Sequence, residues 1–119
     1  MAVRAFTVLD QNMRAVAAQW TGLLQTSLDT GAPAELPDYA DRSIQVEGTL
    51  GVGGSLNIEG SNDGTNYVLL TDPQGTNLTI TAVNRMEQVQ EITRYIRPRV
   101  TAGDGSTNFT VTFYGVRRA

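Results

Sequence analysis

The sequence predicts an all-β protein with the architecture of a small antiparallel β-sandwich or jelly roll and an N-terminal arm. Between residues 42 and 113, short apolar/polar alternations are interrupted by Gly, Asn, Asp or Pro at roughly the 8–12-residue spacing of short strands joined by hairpins. The chain has 119 residues and is 40% hydrophobic, which is enough to bury a core without disulfides or metal. We therefore expect a single domain over residues 1–119.

The first 24 residues contain one extended segment and one ambiguous segment. Met1–Asp10 alternates as a strand or an extended arm does, and it is the candidate arm for contact with a neighbour. Residues 12–24 fit both helical and strand spacing. A strand over Ala15–Thr21 that ends near Trp20 is favoured, because Gly22 follows it and the rest of the chain is β.

A long surface loop is expected over residues 25–41. Gly31, Pro33 and Pro37 exclude a central strand, since proline cannot donate a ladder hydrogen bond. The segment also carries four acidic residues, which are Asp29, Glu35, Asp38 and Asp41. A connection of this length is uncommon unless it has a function, so it is a candidate docking loop.

Further strands are expected to alternate core-facing apolar residues with outward polar ones. They are Ser43–Leu50, Ser55–Gly60, Asn66–Leu70, Asn77–Val83, Thr93–Thr101 and Thr107–Tyr114. Residues 87–91 are expected to form a short turn or helix. Pro98 cannot donate a ladder bond, so either its strand lies at a sheet edge or its nitrogen faces away from the neighbouring strand.

The composition excludes most catalytic chemistry. The chain has no Cys and no His, and all nine basic residues are Arg. Disulfides, thiol or lysine nucleophiles, histidine metal sites and Ser-His-Asp catalysis are therefore excluded, and we expect no enzyme, no cofactor and no metal site. Arg makes forked hydrogen bonds to carboxylates, which suits a protein built for interfaces; a compositional bias of the source genome is the alternative.

The charge and the apolar pattern indicate which partners to expect. The net charge of −3 argues against nucleic acid, because that binding depends on a basic field. No apolar run approaches the roughly 20 residues that span a bilayer, so no membrane is expected. The N-terminus shows no signal-peptide pattern, and we expect the protein to be made in the cytoplasm of the producing cell.

The motif Ser61–Gly64 has a functional and a structural interpretation. This SNDG segment followed by Tyr67 resembles a hairpin of discoidin-like and related carbohydrate-binding jelly rolls. A tight turn explains the same residues, since Asn and Asp tolerate a positive φ and Gly adopts it freely. The turn is the favoured interpretation, because Trp20 is the only Trp and sugar platforms usually use several aromatics.

Two sets of acidic residues are also open to interpretation. Asp63 with Asp104, or the acids of the 25–41 loop, suit a calcium site in residue type but lack the spacing of an EF-hand. Glu47 and Glu59 lie on consecutive predicted strands and resemble the paired carboxylates of a glycosidase. Such a pair needs a cleft, which a domain of this size does not build beside its core. Solvated surface acids are the favoured interpretation of both sets.

One strand combines basic and aromatic residues on a single face. Tyr95, Arg97 and Arg99 alternate with apolar residues, and Arg94 precedes them. Arg and aromatic residues are favoured at protein interfaces, whereas a solvated, ion-paired strand face is the structural alternative. The candidate protein-interface residues of the whole chain are Phe6, Trp20, Tyr39, Arg94, Tyr95, Arg97 and Arg99.

The segment Ala34–Val100 carries several spaced motifs. ADRSIQVEGTLG, NIEGSNDG, DPQG and RYIRPRV occur in this order. In these motifs the chain resembles a group of small proteins encoded by tailed bacteriophages of Gram-negative bacteria, in which a Trp is expected at the position of Tyr67.

The resemblance implies a structural virion protein with the role of a capsid decoration, or cement, protein. The implied partners are the major capsid protein of a phage head and further copies of the chain, as a homotrimer. The implied location is the capsid surface of the virion. A tail, baseplate or head–tail connector component and a carbohydrate-binding module are the alternatives.

Overall fold

The computed structural model describes residues 2–25 and 28–117. Met1 of the predicted arm, and Thr26 and Ser27 of the predicted loop, lie outside the described residues. The described part contains strands throughout and no helix long and apolar enough to cross a membrane. In chain order its strands are β1 (Val3–Arg4), β2 (Phe6–Gln11), β3 (Ala15–Leu24), β4 (Thr30–Gly31), β5 (Ala34–Glu35), β6 (Asp41–Thr49), β7 (Ser55–Ser61), β8 (Val68–Leu69), β9 (Thr79–Ile80), β10 (Arg85–Val89), β11 (Tyr95–Ala102) and β12 (Asn108–Val116).

The strands form two sheets that enclose one core. The back sheet has the order β10–β6–β12–β3–β2, and all its neighbours are antiparallel. The front sheet has the order β1–β4–β11–β7–β8, with β5 also paired to β11 and β9 to β7. Only its β1–β4 pair is parallel among the described pairs. This arrangement confirms the predicted all-β sandwich.

The core follows from the two-residue period of the strands. Large apolar side chains from both sheets are almost wholly buried between them. The largest are Trp20, Phe109, Phe113, Leu23, Ile44, Leu56, Ile58 and Ile96. The apolar positions predicted from alternation on the long strands are therefore the positions that fill the sandwich.

Of two segments with an uncertain or non-strand interpretation, one is confirmed as a strand and the other differs from its expected turn or helix. The ambiguous segment 12–24 contains the ten-residue strand β3, so the favoured strand interpretation is confirmed. Residues 87–91, expected as a turn or helix, instead lie mostly in β10, which pairs with β6. Its sequence RMEQV has few β-formers, and the strand exists because the edge of β6 offers backbone partners.

The N-terminal segment lies along the sandwich rather than away from it. Val3–Arg4 pairs with β4 in the front sheet, and Phe6–Gln11 pairs with β3 in the back sheet. The Phe6 ring meets the Trp20 ring edge-on, with 5.7 Å between their centroids. The expected arm is thus, in its described residues, two strands that cross from one sheet to the other. The expected loop 25–41 likewise contains β4 and β5.

Pro98 lies inside the front sheet without removing a hydrogen bond between β7 and β11. β11 has β7 on one side and the short strands β4 and β5 on the other, so it is not an edge strand. Pro98 is opposite Ile58, whose N–H donates to the Leu78 carbonyl and whose C=O accepts from the Leu70 N–H, both at 3.0 Å. Ile58 therefore turns its backbone groups away from β11, so the β7–β11 ladder requires no donor from Pro98.

Asp29 ties the N-terminal strand β1 to the end of β3. Its fully buried carboxylate accepts hydrogen bonds at Oδ2 from Arg4 Nε at 2.7 Å and from the Leu24 N–H at 3.0 Å. Its Oδ1 has no hydrogen-bond partner among the described residues. Burial alone would raise the pKa of Asp29, but the bonds from Leu24 and Arg4 outweigh it and hold the pKa below its ordinary value of 3.8.

We expect Asp29→Asn to lower the free energy of unfolding by about 1–2 kcal/mol at neutral pH, since it removes a charge-assisted bond whose partner Arg4 is partly screened by water. Because the folded pKa of Asp29 is depressed, its contribution is full at neutral pH and is lost as the pH falls below about 4. Urea unfolding of both proteins from pH 7 to pH 3 checks this. A difference in stability that persists unchanged in acid would contradict it.

Candidate functional site

The outer side of the front sheet carries a cluster of charged and aromatic side chains. Ile96, Pro98 and Val100 point into the core, so the residues between them face outward. The neighbouring strand β7 contributes Glu59, and the segment before β8 contributes Tyr67. We call this cluster the arginine face, and its members are Glu35, Glu59, Tyr67, Arg94, Tyr95, Arg97 and Arg99.

Glu59 is the centre of the arginine face. Its Oε1 accepts hydrogen bonds from Arg97 Nε at 3.2 Å and Nη2 at 3.1 Å, and its Oε2 accepts one from Arg99 Nε at 2.8 Å. Although Glu59 points to the outer side of the sheet, only 5% of it is exposed, because the two guanidinium groups cover it. One carboxylate therefore fixes two arginines in place.

Aromatic rings stack against two of the arginines. The guanidinium carbon of Arg97 lies 3.6 Å from the centroid of the Tyr67 ring, and that of Arg94 lies 5.0 Å from the Tyr95 ring. Arg94 Nε also donates to Glu35 at 2.6 Å. Burial raises the pKa of the Tyr67 hydroxyl, and the positive charge of Arg97 offsets only part of that rise.

The arginine face contains three Arg and two Glu, so it carries one net positive charge. Glu59 and Tyr67 hold Arg97 in place, and Glu59 also holds Arg99. Side-chain rotamers that are already fixed lose little entropy when a partner binds. Arg99 bonds to Glu59 through Nε, and 39% of its side chain is exposed, so part of this side chain remains accessible to a partner. Preordered Arg and Tyr side chains are typical of the residues that dominate protein interfaces.

The predicted interface residues fall into two groups. Arg94, Tyr95, Arg97 and Arg99 lie together on the arginine face. Phe6, Trp20 and Tyr39 belong instead to the interior or its margin. The reason is that Trp20 and Tyr39 fill space inside the chain, while Phe6 packs partly buried against the core from β2.

Trp20 is 1% exposed and donates from Nε1 to the Ala32 carbonyl at 2.9 Å. Tyr39 is 5% exposed, and the Arg117 guanidinium lies over its ring at 5.4 Å. In the folded chain, the Trp20 and Tyr39 side chains are too buried to contact a partner.

The Ser61–Gly64 motif is a turn that uses its own polar groups. Asp63 Oδ1 accepts from the Ser61 hydroxyl and from the N–H groups of Thr65 and Asn66, and its Oδ2 accepts from the Asn66 amide. These bonds hold the pKa of the Asp63 carboxyl well below its usual range. A groove of about 500 Å³ runs beside the turn, but Tyr67 does not line it. The interpretation of the motif as a turn thus accounts for the hydrogen bonds of the Asp63 carboxylate.

The acid pairs considered from the sequence are not brought together. Glu47 lies on β6 in the back sheet and Glu59 on β7 in the front sheet, so they are not neighbours on one surface. Asp63 follows β7 and Asp104 follows β11; because these strands are antiparallel, the two acids lie at opposite ends of the sheet. Bonds from the Val52 N–H and from Ser106 lower the pKa of Asp104 to about 2.

The acids of the 25–41 loop have separate roles. Asp29 bonds to Arg4, Glu35 to Arg94, and Asp38 lies 3.6 Å from Arg117. Among the described residues, no group of three or more Asp and Glu side chains is placed to hold a metal ion.

Arg42 is a structural residue that the sequence interpretation missed. It is 2% exposed, and its guanidinium donates to the carbonyls of Tyr39, Leu36 and Thr93. It also lies over the Phe113 ring at 5.8 Å. The sequence did contain a signal for this burial. Arg42 and Ile44 are two residues apart on the same strand, so both face the core.

Fold and surface together define a two-sheet β-sandwich that carries a rigid arginine–tyrosine face. No protein-family model matches the chain, and no curated protein is significantly similar to it in sequence.

Among solved structures, the chain is similar to YomS, a protein derived from the SPBc2 prophage, with a TM-score of 0.63 and 13% identity over 92% of this chain and 99% of YomS. It is also similar to a cupin domain from Bordetella pertussis Tohama I, with a TM-score of 0.49 and 14% identity over 95% of this chain and 92% of that one. The first likeness shows a shared fold over nearly the whole of both chains. The second is too low to support an argument.

We expect Tyr67→Leu to lower the free energy of unfolding by about 0.5–1 kcal/mol, because it removes the ring beneath the Arg97 guanidinium. Tyr67→Phe is the matched control, since it keeps the ring and removes only the hydroxyl. Urea unfolding at neutral pH measures both. Equal losses for the two variants would show that stacking does not stabilise this face.

Proposed function

We propose that the protein is a structural component of a bacteriophage particle, and more specifically a capsid decoration protein that binds the outside of the head. The observation that carries the proposal is the shared fold with a prophage-derived protein over nearly the full length of both chains. The phage-like motifs between Ala34 and Val100 support it from the sequence side. The proposed partner is the major capsid protein, and the proposed location is the capsid surface.

The arginine face is the proposed docking surface for the shell. Its guanidinium groups are held in place by Glu59 and Tyr67, so binding costs little additional side-chain order. The Arg99 side chain is partly exposed, and its guanidinium group has the planar geometry that matches a carboxylate. A capsid surface with Asp or Glu side chains fits such a face.

The proposed role is binding, not catalysis. A protein that binds the assembled shell and not its separate subunits stabilises the shell by mass action. This role needs a rigid domain and a complementary surface, and it needs no cofactor. The proposed function therefore depends on two features of the chain, which are its buried core and its preordered arginine face.

The proposal predicts that purified mature virions contain the protein at a copy number comparable to that of the major capsid protein. Quantitative mass spectrometry of gradient-purified particles measures this. A tail, baseplate or connector component would instead be present at far lower copy number, and absence from the particles would contradict any structural role.

The proposed docking surface leads to a second, separate prediction. Arg99→Ala should weaken binding to purified heads about tenfold, the equivalent of roughly 1.4 kcal/mol for an interface arginine. Arg85→Ala is the matched control, because Arg85 is an ion-paired arginine on β10 in the other sheet. Co-sedimentation with heads that lack the protein gives both affinities. Equal affinities for the two variants would move the docking surface elsewhere.

A further inference from the structure

In the described parts of the chain the sandwich has four sheet edges, and three of them are protected against pairing with another chain. Both edges of the front sheet are formed by two-residue strands, which offer little backbone to a partner. At one edge of the back sheet, β10 places Arg85 and Glu87 on its core-facing side, opposite the buried Val46 and Ile44. Charges that point inward on an edge strand block the addition of a further strand.

The fourth edge, β2, lacks this protection over most of its length. β2 has six residues and pairs with β3 on one side, and among the described residues no strand pairs with its other side. Its core-facing positions opposite Trp20 and Ala18 hold Phe6 and Val8, which are apolar. The first charge appears only at Asp10, after a bulge that sets Leu9 outside the regular pairing.

Exposed apolar side chains are concentrated in the N-terminal segment that contains β2. The described residues include ten large hydrophobic side chains that are exposed, and four of them lie between residues 3 and 13. These are Val3, Val8, Leu9 and Met13. A short stretch that holds four of ten such side chains indicates a surface that another molecule covers.

The sequence of this edge is complementary to itself. If two copies of β2 lie antiparallel about a twofold axis at Thr7, Phe6 of each copy faces Val8 of the other. The apolar positions of one copy then meet the apolar positions of the other. Arg4 takes no part in this contact, because it pairs with β4 in the front sheet and its Nε donates to Asp29.

We propose that β2 is a self-association edge, and that two copies of the chain pair through it antiparallel about Thr7 and join their back sheets into one continuous sheet. This contact is isologous and closes with two copies. In the homotrimer implied by the sequence resemblance, each contact joins two different surfaces of the chain. Such a contact needs a second pairing surface besides β2, and the three other sheet edges are protected. The inference does not depend on the proposed phage function, because it concerns the isolated protein.

A single engineered cysteine tests the axis directly, because the chain has no cysteine of its own. Opposed residues of an antiparallel pair have Cα atoms about 4.5–5.5 Å apart, which is within disulfide range. Under mild oxidation we expect Thr7→Cys to form a disulfide-linked dimer. Gln88→Cys is the matched control, since Gln88 is an exposed polar residue on the opposite edge strand β10, and it should remain largely monomeric.

Light scattering gives the second measurement. We expect the unmodified protein to reach about twice its mass of 12.8 kDa as its concentration rises. Thr7→Lys should return it to the monomer mass, because two like charges then meet at the axis, while Gln88→Lys should not. A monomer at every concentration without a Thr7→Cys disulfide would overturn the proposal. So would a trimer, or equal cross-linking of both cysteine variants.

Discussion

The antiparallel ladder between β7 and β11 is the constraint on which the front half of the molecule depends. It is the one long pair in the front sheet, since all the other described strands of that sheet have two residues and attach to it directly or through β4. Its inner side supplies core residues such as Ile58 and Ile96, and its outer side supplies the arginine face. The same register therefore determines both how the sandwich is filled and which side chains meet on its surface.

Charge is used in this structure chiefly to fasten segments together. Arg42 joins the end of the 25–41 segment to Thr93, Asp29 joins β1 to the end of β3, and Glu59 joins two positions on β11 to β7. Because a buried charge is costly unless it is hydrogen-bonded, each of these groups carries several bonds. Arg suits this use better than Lys would, since its planar group bonds to several acceptors at once.

The two-residue period allowed the fold class, the core and the shared face of Tyr95, Arg97 and Arg99 to be predicted from the sequence. It did not predict β10, whose residues have weak strand preference and are held by pairing with β6. The burial of Glu59 was also not predictable, because it depends on which residue of the neighbouring strand lies opposite Arg97. Cross-strand register is a property of the assembled sheet, and alternation in one strand does not contain it.

The position of the single tryptophan has an optical consequence. Trp20 lies beneath β2, with its ring against Phe6 and its N–H on the Ala32 carbonyl. Detachment of the N-terminal strand would hydrate the indole while the β7–β11 ladder stayed intact. The emission wavelength of Trp20 therefore reports on the local state of the β2 edge. Circular dichroism reports on the strands of the whole domain, so the two signals follow different stages of the loss of structure.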